Sequence, residues 1–364
     1  MDEGGERGRA AGRVIQKKGK GKREKGGKGK GMQGNLASKL VALDSIEVQV
    51  LVDNVTDSLS TVPKDVTNEV SVLMKNGTLK QSAGEYRCCA HHGLSLIITA
   101  RSGGDRQTLI FDAGPEAYTV TRNGALLKVP FGDAGAVVLS HGHWDHAGGL
   151  VEAVRQVMAV NGGRRLECHV NPGMFVPRGT LRHGGEPLPQ KPVPGVSELA
   201  GAGATVVNEP RARVLLEKLF YLSGEIPRVT PYERGLPGHL KRSADGKGWE
   251  PDPWIMDERY VAAHVKGKGI VVFTACSHAG VINVLKDARN VFGDVPLHAV
   301  MGGFHLSGNQ MEEIIPDTIG DMASFGLKRI VPAHCTGWRA VTALVNRFGE
   351  QLIVPSAVGR QFTF

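Results

Sequence analysis

The sequence predicts an α/β fold, and three observations predict it. Short β-branched apolar runs alternate with stretches of helical periodicity over most of the 364 residues. Histidines stand just after several of those runs, where an α/β sheet presents its functional loops. Hydrophobic residues make up 41% of the chain, enough for a sizeable core.

Residues 1–35 stand apart as a Lys/Gly-rich tail, and a folded domain is expected over 36–364. Within 1–31, eleven Lys or Arg face four acids; that +7 accounts for nearly all of the net +8, so the domain itself is close to neutral. The tail has almost no large apolar side chain to offset ordering entropy, and disorder is expected. Its lysines suit non-specific phosphate contact, so nucleic acid is a partner only through this segment. No aromatic residue interleaves them, and a solvated tail is the plainer expectation. Translation from Met32 rather than Met1 is a third reading.

Ile46–Val52 alternates as a strand ending at Asp53-Asn54, and Ser71–Met74 reads as a further extended piece. Leu94–Thr99 and Thr108–Phe111 form a hairpin through Ser102-Gly103-Gly104-Asp105, the second strand ending at Asp112 before Ala113-Gly114-Pro115. Val137–Leu139 is a buried strand end. Leu150–Val160 has helical spacing closed by Asn161-Gly162-Gly163, and Leu166–Val170 is a strand carrying Cys168 and His169. Regions near 171–203 and 227–253 are rich in Pro and Gly and read as long irregular excursions, which are commonly lids. They carry Arg178, Arg182, Arg228, Arg234, Lys241 and Arg242, candidates for holding an anionic substrate. Arg259–Val265 and Gly269–Thr274 are strands, followed by a helix from Val281. Leu297–Met301 is a strand, Met311–Phe325 a helical region, Arg329–Val331 a strand and Arg339–Phe348 a last helix.

Five cysteines without an apolar leader point to reduced thiols and a cytoplasmic setting, with organellar targeting by the tail as the alternative. No apolar run approaches membrane-span length, so no membrane partner is expected. Nothing in the sequence reports the oligomeric state.

The chemistry concentrates in Ala136–Leu150, AVVLSHGHWDHAGGL. His141, His143, Asp145 and His146 place four metal-ligand side chains within six residues on a strand-to-helix turn. In an extended segment His141 and His143 point the same way and can grip one ion, while Asp145 and His146 face a second. His278, His305 and His334 each follow a short apolar run, as His141 does. His278 and His334 are the favoured additional ligands. His305 and His169 are candidates for metal or supporting positions, and Asp112 is expected to brace the ligand loop. Cys168, Cys276 and Cys335 lie nearby, but core filling is the more frequent use of such thiols.

SHGHWDHAGGL resembles the signature of the metallo-β-lactamase fold superfamily. HHGLSLII, LIFDAGP, FYLSGEIPRVTPYERG, TACSHAGVINV, MGGFHLSG and VPAHCTGWRA, in that order, are similar to the subfamily labelled 7,8-dihydropterin-6-methyl-4-(β-D-ribofuranosyl)aminobenzene 5′-phosphate synthase-like. The resemblance runs from about Ile46 to the C-terminus. It implies a four-layer αβ/βα sandwich with a two-metal site at one edge. By position, His141 and His143 match the first-metal pair, Asp145 and His146 the second-metal pair, and His334 the late histidine. The region where better-known hydrolases carry a mid-chain histidine and a bridging Asp offers Glu225, His278 and His305 instead, with no Gly-Asp pair.

The implied cofactor is Zn²⁺, one or two ions, with Mn²⁺ or Fe²⁺ as alternatives. The expected activity is that of a metal-dependent hydrolase or C–O/P–O-cleaving enzyme. It would use a metal-activated hydroxide on a small anionic substrate, phosphorylated or pterin-like, with Asp145 orienting the nucleophile. Arg228, Tyr221 and Tyr232 are candidate substrate contacts. The alternative is a nuclease of the same fold or a tail-mediated nucleic-acid-binding protein; deleting residues 1–31 separates the two.

Overall fold

The computed structural model describes residues 40–182 and 185–364. The tail and its start site lie outside the described residues.

Two β-sheets face each other across the central core. One runs, in spatial order, Arg213–Leu215, Phe220–Leu222, Val261–Val265, Gly269–Thr274, Leu297–Gly303 and Arg329–Ala333, with Ala42–Leu43 also pairing Val261–Val265. The other runs Thr205–Asn208, Glu167–Val170, Ala134–Val138, Asp105–Phe111, Ser95–Ser102, Ser45–Val52, Gln361–Thr363 and Val66–Thr67.

Strand alternation assigns the layers. Leu96, Ile98, Leu109 and Phe111 pack with Val261, Val271, Phe273 and Met301 between the sheets. Their sequence neighbours Ile97 and Ile110, with Val137, pack outward with Val120, Leu150, Val154 and Val157 of the helices Ala117–Leu127 and Leu150–Val160. On the other sheet Ile270, Val272 and Val300 pack outward with Val284, Leu285 and Ile319 of the helices Val281–Phe292 and Ile315–Met322. Each such buried side chain contributes about 1.5–3 kcal/mol. The result is the expected αβ/βα sandwich.

Pairing direction then collects the strand ends. Asp105–Phe111, Ala134–Val138 and Glu167–Val170 are mutually parallel, as are Gly269–Thr274, Leu297–Gly303 and Arg329–Ala333. Parallel strands end on one edge of their sheet, so the loops after them converge.

Several expectations are corrected. Ser71–Met74 lies in a helix, Glu69–Lys75, because Asn68 caps it by accepting from the Ser71 amide at 2.9 Å while Val72 and Leu73 are buried. The helical region Met311–Phe325 is divided into Asn309–Glu312 and Ile315–Met322, with Pro316 in the first turn of the second. The two Pro/Gly-rich excursions are not irregular: they pair with each other. Trp249–Pro251, His239–Arg242, Arg178–Leu181 and Pro187–Pro189 form a third, antiparallel sheet, with Leu240 opposite Gly179. Trp249 covers Gly179, where a Cβ would come within 3.0 Å of its ring, and the Arg242 guanidinium lies 4.3 Å from the same indole.

Candidate metal centre

The strand Ala134–Val138 leads into Ser140–Gly149 along a path too tight for ordinary residues. A Cβ on Gly142 would lie 2.4 Å from the Met174 carbonyl oxygen, and one on Gly148 would lie 1.7 Å from that of Pro115. Four non-glycine residues in adjoining loops hold left-handed backbone: Asp112 (φ 58), Ser277 (φ 59), His305 (φ 43) and His334 (φ 47). Strain of this kind concentrates where a side chain must be aimed.

The aim is common. His141, His143 and His278 bring one ligand atom each within 4.8 Å of one another; so do His141, His146 and Cys276, and so do His92, Asp145 and His334. The His141 and His278 ring centroids are 4.8 Å apart, as are those of His143 and His278. His334 Nε2 lies 3.3 Å from Asp145 Oδ2, and His146 Nε2 lies 3.2 Å from Cys276 Sγ. His305 joins Cys276 and His278 in a further such group.

Outer hydrogen bonds orient these rings. Asp112, fully buried, accepts from His146 Nδ1, the Ser140 amide and the Ser140 hydroxyl, each at 2.7 Å. That hydroxyl in turn accepts from His141 Nδ1 at 2.8 Å. Asn54 Oδ1 meets His334 Nδ1 at 2.9 Å, and Asp53 Oδ1 accepts the His334 amide at 2.9 Å. Glu258 accepts the amides of His278 and Ala279 at 2.8 and 2.7 Å. With their Nδ1 atoms engaged, His141, His146 and His334 leave Nε2 for the centre. His143 Nε2 and both ring nitrogens of His278 are buried without a protein partner. Orphaned buried nitrogens among carboxylates and a thiol are the donor set a metal ion satisfies.

Burial, then neighbouring imidazoles, holds His141, His143 and His278 well below the usual histidine range, so they present neutral lone pairs. Burial also opposes charge on His146, but the Asp145 and Asp112 carboxylates outweigh it and bring the ring up to about 9. Asp145 is likewise opposed by burial, and His146 and His334 more than offset that, keeping it well below the carboxylate range.

The structure also shows what the sequence reading missed. A cavity of about 180 Å³ is lined by His143, Asp145, Cys276, His278, His305, His334 and Cys335, and also by His92, Trp144, Gln190, Leu236 and His239. His92 Nδ1 meets the Asn54 amide nitrogen at 3.2 Å, leaving Nε2 3.5 Å from Asp145 Oδ2. His239 arrives from the third sheet, its ring 4.8 Å from that of His143, and burial brings it down to about 4. The HHG motif was a usable signal for His92; His239 sits in a Pro/Gly-rich stretch with no periodicity to flag it.

Other expectations fail on position. His169 is buried beside Glu167, 3.2 Å away, and Glu225 is exposed; neither belongs to the grouped ligand atoms. Tyr221 is fully buried under the helix Val281–Phe292, 5.4 Å from Phe292, and Tyr232 donates to Asp321 at 2.9 Å on the outer face. Arg228 donates to the carbonyls of Ile226 and Trp254. None of these three lines the cavity. Arg178 is a brace rather than an anion receptor. Buried, it bonds Asp257, Asp252 at 3.1 Å and the Gly142 carbonyl at 3.2 Å, while Asp257 accepts the Gly142 amide at 2.8 Å.

Residues 92–239 match the family model of the metallo-beta-lactamase superfamily. The chain is 27% identical over 273 residues to 7,8-dihydropterin-6-methyl-4-(beta-D-ribofuranosyl)-aminobenzene-5′-phosphate synthase of Methanocaldococcus jannaschii, covering 72% of this chain and 86% of the relative. It is 29% identical over 264 residues to an uncharacterized protein of the same organism, covering 71% and 90%. Among solved structures, a metal-dependent hydrolase of the beta-lactamase superfamily superposes with a TM-score of 0.61 at 21% identity, over 87% of this chain and 98% of that one. Two facing sheets flanked by helices with an H-x-H-x-D-H turn at their common edge are the arrangement of the metallo-β-lactamase fold, and residues 92–239 match that superfamily's model.

Proposed function

We propose that the chain is a metal-dependent hydrolase acting on a small anionic substrate. One observation carries this reading: ten His, Asp and Cys side chains from loops of both sheets fall into overlapping groups of neighbouring ligand atoms, with the orienting bonds outside them and unpartnered nitrogens inside. His141, His143 and His278 would hold one ion; Asp145, His146 and His334, with Cys276 adjoining, would hold a second. Bound there, a divalent ion supplies Lewis acidity and lowers the pKa of water toward neutrality. Zn²⁺ would suit this mix of imidazole, carboxylate and thiol.

The chain's own residues do the rest. Asp145 Oδ2, within 3.6 Å of His92, His146 and His334, is placed to orient a nucleophile and accept its hydrogen bond. The third sheet brings His239 to the cavity wall, and the loop leading into that strand brings Leu236. Arg178 ties that sheet to the Gly142 turn. A phosphorylated or pterin-like substrate is supported by the name of the Methanocaldococcus relative. The test is elemental analysis of purified protein coupled to a screen of phosphodiesters, phosphomonoesters, lactones and thioesters. The parent is expected to hold one or two zinc equivalents and to hydrolyse one class. His143→Ala should lose metal and activity while keeping its circular dichroism, and unchanged metal content in that variant overturns the ligand assignment.

A further inference from the structure

Cys276 and Cys335 end different strand-to-loop turns, yet their Sγ atoms lie 3.4 Å apart. Both are buried, and both line the 180 Å³ cavity, so a small solute entering the cleft reaches them. The contact is enforced by backbone. Cys335 Sγ occupies the space beside Gly303, where a Cβ would come within 2.6 Å of it, and so is held against the turn that carries Cys276. Cys276 is also shared by three of the ligand groups, with His141 and His146, with His278 and His305, and with His334 and Cys335.

We propose that Cys276 and Cys335 form a reversible disulfide that competes with metal at this centre, an inference that rests on the metal reading above. Closing the contact to the ~2 Å of a sulfur–sulfur bond needs only a small side-chain movement. The oxidant is a peroxide. One thiol is oxidised to a sulfenic acid as the peroxide O–O bond breaks and water leaves; the second thiol then displaces hydroxide from that sulfur, releasing a second water and forming the S–S bond. A dithiol reductant restores both thiols by exchange. A disulfide sulfur is not a thiolate donor, so oxidation removes one ligand from the His146 side, while a bound ion shields the Cys276 sulfur.

The test uses the full chain, stripped with a chelator or loaded with zinc, and exposed to hydrogen peroxide. In the stripped protein we expect two of the five thiols to be lost, a mass lower by two hydrogens and a Cys276–Cys335 cross-linked peptide that dithiothreitol abolishes. The zinc-loaded protein should resist, and the oxidised protein should bind less zinc than the reduced one. Cys335→Ser should give no intramolecular cross-link, whereas Cys89→Ser, away from the centre, should cross-link as the parent does. Absence of the cross-link in stripped, folded protein that still binds zinc overturns the proposal and leaves the metal reading standing. A cross-link that neither lowers zinc uptake nor is blocked by zinc overturns the competition and removes Cys276 from the ligand set.

Discussion

Asp112 touches no cavity atom, yet three of its hydrogen bonds, each 2.7 Å, hold the Ser140 amide, the Ser140 hydroxyl and His146 Nδ1. Through Ser140 it also reaches His141. Asp112→Ala would strand these donors with no exposure to water, and breaking a buried charged pair in this way costs about 3–5 kcal/mol. Asp112→Asn is the more informative change. Asparagine tolerates the left-handed backbone at φ 58, so the turn is not strained further. It nevertheless presents an amide that can satisfy at most part of the donor set and carries no charge to raise the basicity of His146. Losses of outer-shell partners of this kind weaken metal binding by about 10–100-fold. Zinc titration against a competing chelator, with circular dichroism at each point, should show that loss on a folded chain, and urea unfolding of Asp112→Ala in chelator should show the larger stability loss. Parent-like zinc affinity in Asp112→Asn would refute the claim that this carboxylate governs the His141–His146 turn.

His278→Ala should lower metal stoichiometry, whereas His169→Ala should leave it intact because His169 is outside the grouped ligand atoms; equal losses by elemental analysis would mean the ligands are misassigned. Arg178→Ala removes the buried tie between the third sheet, Asp257 and the Gly142 turn, and should destabilise by about 3–5 kcal/mol while making the Arg178–Leu181 segment protease-sensitive; parent-like urea midpoint and proteolysis would refute the bracing role. Glu233 receives the Ile282 and Asn283 amides and the Thr230 hydroxyl at 2.8, 2.9 and 2.9 Å, but burial brings it up to about 7 from 4.5. The folded chain therefore binds this proton more tightly than the unfolded one, and its contribution to stability is full below pH 4.5 and is lost as pH rises through 7. Urea midpoints at pH 5 and 7.5 should differ in the parent and differ less in Glu233→Gln; an unchanged difference would remove Glu233 as the source.

Sequence reading succeeded where the signal is local. Helix Leu150–Val160 follows from its apolar spacing and terminal Asn-Gly-Gly, and the hairpin from a two-glycine turn. It failed at Ser71–Met74, where the capping by Asn68 outweighed a β-like composition. It also failed over the excursions, because strands paired across some sixty residues leave no periodicity in either partner. Arginines that looked available for an anion were committed to internal carbonyls and carboxylates, which composition does not reveal.

By itself the sequence determined the α/β layering, since alternating strands and amphipathic helices have few ways to bury their apolar faces. It also determined that H-x-H-x-D-H stands at a strand-to-helix turn, because two-residue periodicity and glycine placement are properties of adjacent residues. Only the tertiary structure decided which distant groups meet that turn. It brought Cys276, His278 and His334 to the turn from strand ends more than a hundred residues later. It also delivered His239 on a sheet built from both excursions, set Asp112 behind His146, and left His169, Glu225 and the tyrosines elsewhere. The physical reason is that ligation depends on where parallel strands end in space, and strand order is fixed by packing of whole layers rather than by any local pattern.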